Sequence, residues 1–113
     1  MKSNEFYCMH SDMCKTLANE KRQMIIDTLR DREITVTQLI EATGISQANL
    51  SQHLAILRGK GVVHTRREGT HVYYSIANRK ILAAFDLISE AMAEAFGERK
   101  DMVDTAMGSR QQG

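Results

Sequence analysis

Leucines recur at helical spacing in the middle of the chain. Leu50, Leu54 and Leu57 fall at i, i+4 and i+7 within residues 45–58, which places them on one face of a helix. The opposite face carries Gln47, Ala48, Ser51, Gln52 and Ala55. This face is uncharged, whereas the outer face of a helix that only needs to be soluble usually carries charged residues. Amides, hydroxyls and methyls can read base edges in a major groove, so the pattern predicts a DNA recognition helix.

Three further helices are predicted before this one. Apolar residues at steps of three and four indicate helices over residues 4–18, 20–31 and 36–43. Gly44 follows the third, where a residue with positive φ is easiest to place, and Ser46 can cap the helix after it. A short helix, a glycine-containing turn and a second helix with an apolar inner face predict a helix-turn-helix.

Two segments after the recognition helix alternate in the manner of β-strands. Residues 62–67 and 71–77 are separated by Glu68-Gly69-Thr70, a short turn with a flexible glycine. This hairpin would bring Arg66, Arg67, Thr70 and His71 together at or near its tip. A β-ribbon of this kind beside a helix-turn-helix is a wing.

A last helix is predicted from a cap at Asn78 to about Phe96. It carries more apolar surface than one solvated helix needs, so together with the first helix it would suit a dimer interface. Packing within one subunit is the alternative. The residues predicted at the interface are Phe6, Met13, Leu17, Ile81, Phe85, Ile88 and Met92. The predicted fold is mainly α with a small β-hairpin wing, a winged helix-turn-helix domain over residues 1–97, followed by a polar tail, residues 98–113.

Composition adds the class of partner. At 113 residues the chain is one ordinary domain, and it has neither an apolar run long enough to span a membrane nor a secretion signal, so we expect a cytoplasmic protein with no membrane partner. Residues 46–80 contain six basic residues and one acidic residue, whereas residues 81–107 contain six acidic and two basic. The middle would hold a polyanion and the tail would repel it, although a solvated charged surface is the alternative.

The order of the elements and several motifs together resemble the ArsR/SmtB winged-helix repressors over residues 13–92. The carriers are L-A-N-E-K-R-Q-M-I-I-D-T-L at 17–29, S-Q-x-x-x-S-Q-H-L-x-x-L-R at 46–58 and R-R-E-G-T-H-V-Y-Y-S-I at 66–76. The resemblance implies a homodimer with its recognition helices in successive major grooves of a pseudo-palindromic operator in double-stranded DNA. It also implies repression, relieved by a metal, redox or small-molecule signal that lowers DNA affinity.

Residues on the recognition helix and the wing are the candidate DNA contacts. We expect Gln47 and Gln52 to read bases, and Ser51 to contact a base or a phosphate. His53 projects onto the shoulder of the apolar face, which favours a partly buried histidine over direct DNA contact. The full candidate set is Thr35, Thr37, Gln47, Ala48, Asn49, Ser51, Gln52, His53, Arg58, Arg67, Thr70 and His71, and Lys60 is an additional source of charge.

The two metal sites that the resemblance implies are altered in this chain. The family's E-L-C-V-C motif stands here as E-I-T-V-T, residues 33–37, and hydroxyls are poor ligands for soft metals. The last helix offers Asp86, Glu90 and Glu94 but no histidine. We therefore expect neither site, and no cofactor is certain.

Cys8, His10 and Cys14 form the remaining candidate for metal or redox chemistry. On a helix, His10 and Cys14 share a face, while Cys8 lies about 120° from Cys14. A third ligand for Zn²⁺, Cu(I) or another soft ion would have to come from a frayed helix start or from the other subunit. A Cys8–Cys14 disulfide is blocked while the helix is intact. Ordinary thiols, a soft-metal site and a thiol redox switch remain open.

No motif of an enzyme is present. The chain has no phosphate loop, no G-x-S-x-G elbow and no recognisable acid and base pair, so we expect no enzymatic activity. The rival function is a winged-helix module that binds protein or RNA without recognising an operator.

Overall fold

The computed structural model describes residues 1–97, and the predicted polar tail, residues 98–113, lies outside the described residues. The chain divides into two units, whose described parts are residues 1–82 and residues 83–97. The described elements, in chain order, are α1 (Asn4–Leu17), α2 (Glu20–Thr28), β1 (Ile34–Thr35), α3 (Val36–Thr43), α4 (Gln47–Gly59), β2 (Val63–Glu68), β3 (His71–Ile76) and α5 (Arg79–Ala95). The fold is mainly helical with a small antiparallel sheet, which confirms the predicted class.

Side-chain caps fix where the helices begin. Ser3 Oγ accepts a hydrogen bond from the Phe6 amide (3.2 Å) at the start of α1, and Asn19 Oδ1 accepts one from the Arg22 amide (3.1 Å) at the start of α2. The predicted cap of α4 is confirmed, since Ser46 Oγ accepts a hydrogen bond from the amide of Asn49, the third residue of α4, at 3.3 Å. Each cap satisfies a backbone N–H that a helix start would leave unpaired.

The turn between α3 and α4 depends on Gly44. Its φ is +73°, in the left-handed region that a side chain disfavours, and its amide donates to the Ile40 carbonyl at 2.8 Å. The turn therefore confirms the predicted helix-turn-helix, in which α4 is the second helix.

The second helix ends three residues earlier than predicted. It stops at Thr28, and the chain then passes through Asp31, whose φ of +57° is incompatible with continued helix. The Arg32 amide donates to the Leu29 carbonyl at 3.2 Å across this turn. The apolar periodicity extends through Leu29, which is buried just outside the helix, and so the pattern alone overestimates its length.

The sheet has three strands, whereas the sequence predicted only the two strands of the hairpin. Its order is β1-β3-β2, with Ile34 opposite Tyr74 and Thr35 opposite Tyr73. Strand β1 was missed because two residues are too few to display alternation. Since β3 pairs on both sides, the base of the wing is joined to the segment that leads into α3.

A single apolar cluster in residues 1–82 holds α4 in place. Leu50 and Leu57 are fully buried and Leu54 is 2% exposed. They belong to a cluster with Ile25, Ile26, Leu29, Ile34, Leu39, Ile45, Val62, Val63 and Leu82. Full burial of one such side chain stabilises the fold by about 1.5–3 kcal/mol, so the three leucines anchor α4 and leave its other face outward. Within residues 1–97 no helix is both long and apolar enough to cross a membrane.

Candidate nucleic-acid interface

The outward face of α4 carries the predicted base-reading groups. Its side chains opposite the buried leucines are all exposed: Gln47, Ala48, Asn49, Ser51, Gln52 and Ala55. The predicted division of α4 into an apolar inner face and an uncharged polar outer face is confirmed. The face can present amide donors and acceptors together, which is the requirement for bidentate contact with a base.

His53 lies on the shoulder of α4, half-buried, and this confirms the interpretation of a partly buried histidine. Its Nδ1 accepts a hydrogen bond from Arg22 Nε at 3.3 Å. Burial, and then the positive charges of Arg22 and Lys21, lower the pKa of His53 below its ordinary value. His53 Nδ1 is therefore already hydrogen-bonded to Arg22 within the chain.

The two threonines at the start of α3 differ in their surroundings. Thr35 is half-buried and caps the helix: its hydroxyl accepts from the Gln38 amide at 3.3 Å, while Gln38 Oε1 accepts from the Thr35 amide at 2.9 Å. This reciprocal capping box commits the Thr35 side chain to the helix start. Thr37 is exposed and remains accessible to a partner.

The hairpin tip brings three of the predicted wing contacts together. Arg67 pairs with Val72 across the ladder, and the turn is formed by Gly69, with φ of +62°, and Thr70. Arg67, Thr70 and His71 are all exposed there. Among residues 1–97 no carboxylate forms an ion pair with Arg67, so its charge is available to a phosphate.

Arg66 has a different role from its neighbour. Its Nη2 donates to Glu33 Oε1 at 2.7 Å, its Nη1 donates to Glu68 Oε2 at 2.7 Å, and its guanidinium lies 4.8 Å from the centre of the Tyr73 ring. The hydrogen bond from Arg66 holds the pKa of the Glu33 carboxyl below its usual value. Arg66 therefore fastens the wing to the segment before β1 and is not a free cation.

Ion pairs within the chain reduce the positive charge expected of residues 46–80. Lys60 pairs with Asp12 of α1, which lowers the pKa of that carboxyl, and Arg79 pairs with Asp31. With Arg66, three of the six basic residues in this segment have acidic partners. Within the described part of the chain, the cations without an ion pair in this segment are Arg58, Arg67 and Lys80. Counting charges along the sequence therefore overestimates the positive electrostatic potential of residues 46–80. Lys60 is a weaker candidate for DNA contact than its charge suggests.

An open groove separates α4 from the sheet. It has a volume of about 450 Å³ and is lined by Ser51, Leu54, Ala55, Arg58, Gly59 and Tyr74. A hydroxyl and a guanidinium on its rim suit a phosphate oxygen. Tyr74 was not among the sequence candidates, because strand alternation places it on the inner side of the sheet without indicating that it lies next to α4.

The N-terminal cysteines are placed as the helical period predicts. His10 Nδ1 and Cys14 Sγ lie 3.6 Å apart on α1, and both cysteines are free and exposed. Residues 1–97 contain no group of three His, Cys, Asp or Glu side chains arranged to hold one metal ion. One subunit thus offers an imidazole and a thiol together, fewer than the four ligands of a closed structural zinc site.

The predicted interface residues fall into two groups. Met13, Leu17 and Ile81 are half-buried against the core of their own subunit, so intramolecular packing accounts for part of their apolar surface. Phe6 is 37% exposed on α1.

Residues 83–97, taken by themselves, expose a strongly apolar helix surface. Phe85 is half-buried, whereas Ile88 is 64% and Met92 46% exposed. Leu87 and Phe96 are also exposed, at 63% and 42%. Large exposed apolar groups in one short segment are typical of a protein interaction surface.

The comparisons with known proteins all indicate the same family. Residues 19–65 match the bacterial regulatory protein arsR family. The transcriptional activator HlyU of Vibrio cholerae serotype O1 is 37% identical over 83 residues, which cover 74% of this chain and 77% of HlyU. The crystal structure of Rv0081 from Mycobacterium tuberculosis matches with a TM-score of 0.79 and 34% identity, covering 86% of this chain and 98% of Rv0081.

A third similar protein bears on both DNA binding and assembly. It is the homodimeric winged helix-turn-helix DNA-binding domain of Mb0332 from Mycobacterium bovis, whose solution structure matches with a TM-score of 0.72 and 32% identity. The match covers 83% of this chain and 90% of that domain. The chain belongs to the ArsR family of bacterial regulatory proteins, and it is a winged helix-turn-helix transcriptional regulator, not an enzyme.

Proposed function

We propose that this chain is a homodimeric repressor that binds a pseudo-palindromic operator through α4 and the wing. The observation that carries the proposal is the exposed amide face of α4, held outward by three leucines that are at most 2% exposed. Gln47 and Gln52 read base edges, with an adenine favoured wherever the amide contact is bidentate. Ala48 and Asn49 face the same groove.

The dimer is supported by the apolar side chains that α1 and α5 expose and by the homodimeric state of the similar Mb0332 domain. A twofold dimer presents two copies of α4. When the two copies of α4 are separated by one helical turn of DNA, about 34–36 Å, they can enter successive major grooves on the same face of the duplex. The operator is therefore expected to be an inverted repeat.

Phosphate contacts fix the register of the protein on the duplex. Arg58 and Ser51 line the groove beside α4, and Arg67, Thr70 and His71 lie at the wing tip. Both places hold donors without base specificity, which suits backbone or minor-groove contact. Thr37, exposed at the start of α3, is a further candidate for the backbone.

The signal that relieves repression is proposed to act on α1. The His10–Cys14 pair is exposed, so a thiol-directed signal can reach it. A third ligand for a soft-metal ion would have to come from a frayed start of α1 or from the other subunit, because residues 1–97 hold no group of three ligands at a common point. Metal titration of the reduced dimer, together with thiol counting after oxidant, distinguishes metal, redox and inert thiols. Because its proposed partner is DNA, we place the protein in the cytoplasm as part of this proposal.

Selection from a randomised duplex library tests the proposal directly. We expect the purified protein to enrich an inverted repeat, with affinity that falls steeply as salt is raised. Absence of binding to any duplex at low salt would favour the protein- or RNA-binding alternative. In cells, a reporter placed behind the enriched sequence should be more active when the protein is deleted, and a loss of activity would indicate an activator.

A further inference from the structure

Arg22 connects α1, α2 and α4 at one point. Its guanidinium Nη1 donates to the Thr16 carbonyl at the end of α1 at 3.1 Å, and its Nε donates to His53 Nδ1 on α4 at 3.3 Å. Its backbone amide is itself held by Asn19 Oδ1 at 3.1 Å. Arg22 is half-buried, and its helix is anchored by Ile25 and Ile26, which are at most 1% exposed. The contacts of Arg22 with α1 and within α2 thus hold its guanidinium in position beside α4.

The hydrogen bond defines the state of the His53 ring. An N–H of arginine can donate only to a nitrogen that has a lone pair, so Nδ1 is unprotonated and the ring is neutral with its proton on Nε2. Within residues 1–97 the charges that act on the ring are those of Arg22 and Lys21 on α2, both positive. Protonation of His53 would remove the acceptor and place a third positive charge beside these two.

The position of His53 on α4 gives this bond a consequence for DNA recognition. His53 follows Gln52 directly, and by the helical period its side chain points about 40° away from Leu57 and about 60° away from Leu50, on the shoulder of the buried face. The leucines set how deeply α4 sits, but apolar contact is non-directional and permits small rotations about the helix axis. Side chains extend about 5–6 Å from a helix axis, so a rotation of about 10° moves their tips by about 1 Å. Such a shift is enough to break a bidentate hydrogen bond with a base.

We propose that Arg22 and neutral His53 form a strut that fixes the rotation of α4 about its axis, and that Arg22 is thereby a positioning residue for base reading by Gln52. This inference rests on the proposed function. It assigns His53 to the interior of the regulator and not to the DNA, and it makes base selectivity dependent on a residue of α2 that is not among the proposed DNA contacts. It also makes selectivity sensitive to acid.

Matched charge removals test the strut. The probes are the duplex that the wild-type protein enriches and a scrambled version of it, and the readout is the ratio of the two affinities at fixed salt. Arg22→Met should lower this ratio by about tenfold, whereas Lys21→Met removes the same charge from an adjacent exposed position and should leave the ratio near that of the wild type. Equal ratios for the two variants would overturn the proposal. Circular dichroism and thermal melting verify that both variants are folded.

A second variant keeps the test decisive if Arg22→Met fails to fold. His53→Gln retains an acceptor for Arg22 but cannot be protonated in the physiological range. As pH falls from about 8 to about 5, the selectivity of the wild type should decrease while that of His53→Gln stays constant. Parallel pH profiles would overturn the strut. A wild-type protein without any selectivity would instead refute the proposed function, so the two failures are distinguishable.

Discussion

The guanidinium of Arg66 lies 2.7 Å from the carboxylate of Glu33, which joins the wing to the segment that leads into α3. The two residues are 33 positions apart in the sequence. Because β1 follows Glu33 directly, the ion pair and the β1–β3 ladder fasten the same side of the wing.

Acid should release this wing anchor. The pKa of Glu33 is lowered in the fold from an ordinary value of 4.5, so its contribution to stability is fully present above that value and is lost as pH falls through the lowered pKa. We expect the melting temperatures of the wild type and Glu33→Gln to differ at neutral pH and to converge in acid. Glu41→Gln, at an exposed position of α3, is the control and should track the wild type throughout. A difference that persists in strong acid would contradict the assignment.

The amide of Gln52 should contribute sequence preference more than general affinity. Removing a bidentate contact to a base costs about 1–3 kcal/mol of discrimination, so Gln52→Ala should bind the enriched duplex about 5- to 150-fold less tightly. Binding to a scrambled duplex should change little, because the side chain is uncharged. Fluorescence anisotropy with both duplexes measures the effect. The same loss on both would mean that Gln52 does not read a base.

Arg67 should act on phosphate without regard to sequence. Arg67→Ala is expected to weaken binding to all duplexes similarly and to reduce the slope of log affinity against log salt by about one. Arg79→Ala serves as the matched control, because Arg79 is already paired with Asp31. Its salt slope should remain close to that of the wild type. An unchanged slope for Arg67→Ala would remove the wing tip from the DNA interface.

The anchoring of α4 can be measured by chemical denaturation. Leu54 is 2% exposed, so Leu54→Ala should reduce the free energy of unfolding by about 2–5 kcal/mol through lost burial and the cavity left behind. Ile56, on the same helix, is 38% exposed, and Ile56→Ala should cost about 1 kcal/mol or less. Urea titration of both variants at equal protein concentration gives the comparison. Equal losses would contradict the two-faced description of α4.

A charge on the apolar face of α5 should separate the proposed dimer. Ile88 is 64% exposed, and Ile88→Glu would place a carboxylate where the proposed interface excludes water. We expect the dimer dissociation constant to rise by at least about tenfold in sedimentation equilibrium. Ala93→Glu adds the same charge about 140° around the helix and should leave the dimer intact. A dimer that tolerates Ile88→Glu would relocate the interface.

Local signals predicted the helix-turn-helix well. The bounds of α3, its C-terminal cap at Gly44 and the cap of α4 at Ser46 depend on residues within three or four positions of one another, so they could be predicted from the sequence. Strand β1 was missed because its partner, Tyr74, is 40 positions away by chain number and two residues carry no periodicity. A strand of this length is recognisable only from the ladder that it joins.

Electrostatics was the part least predictable from sequence. Lys60 and Asp12 are separated by 48 positions, as are Arg79 and Asp31, and counting charges along the chain cannot reveal such pairs. The partner of His53 was equally hidden, since Arg22 lies 31 positions earlier. The shoulder position of the histidine followed from the helical period, but the residue that it contacts depends on how α2 and α4 pack.

Strand β3 lies between β1 and β2, so the base of the wing is hydrogen-bonded on both sides of β3 and the tip on one side only. Near Tyr73 and Tyr74 the strand is bonded on both flanks, whereas the Gly69–Thr70 loop projects beyond the two residues of β1. Backbone amides at the base should exchange slowly with deuterium and those at the loop quickly. Under the proposed function, this gradient would let the Gly69–Thr70 loop adapt to local variation in minor-groove width while the base of the wing keeps its angle to α4.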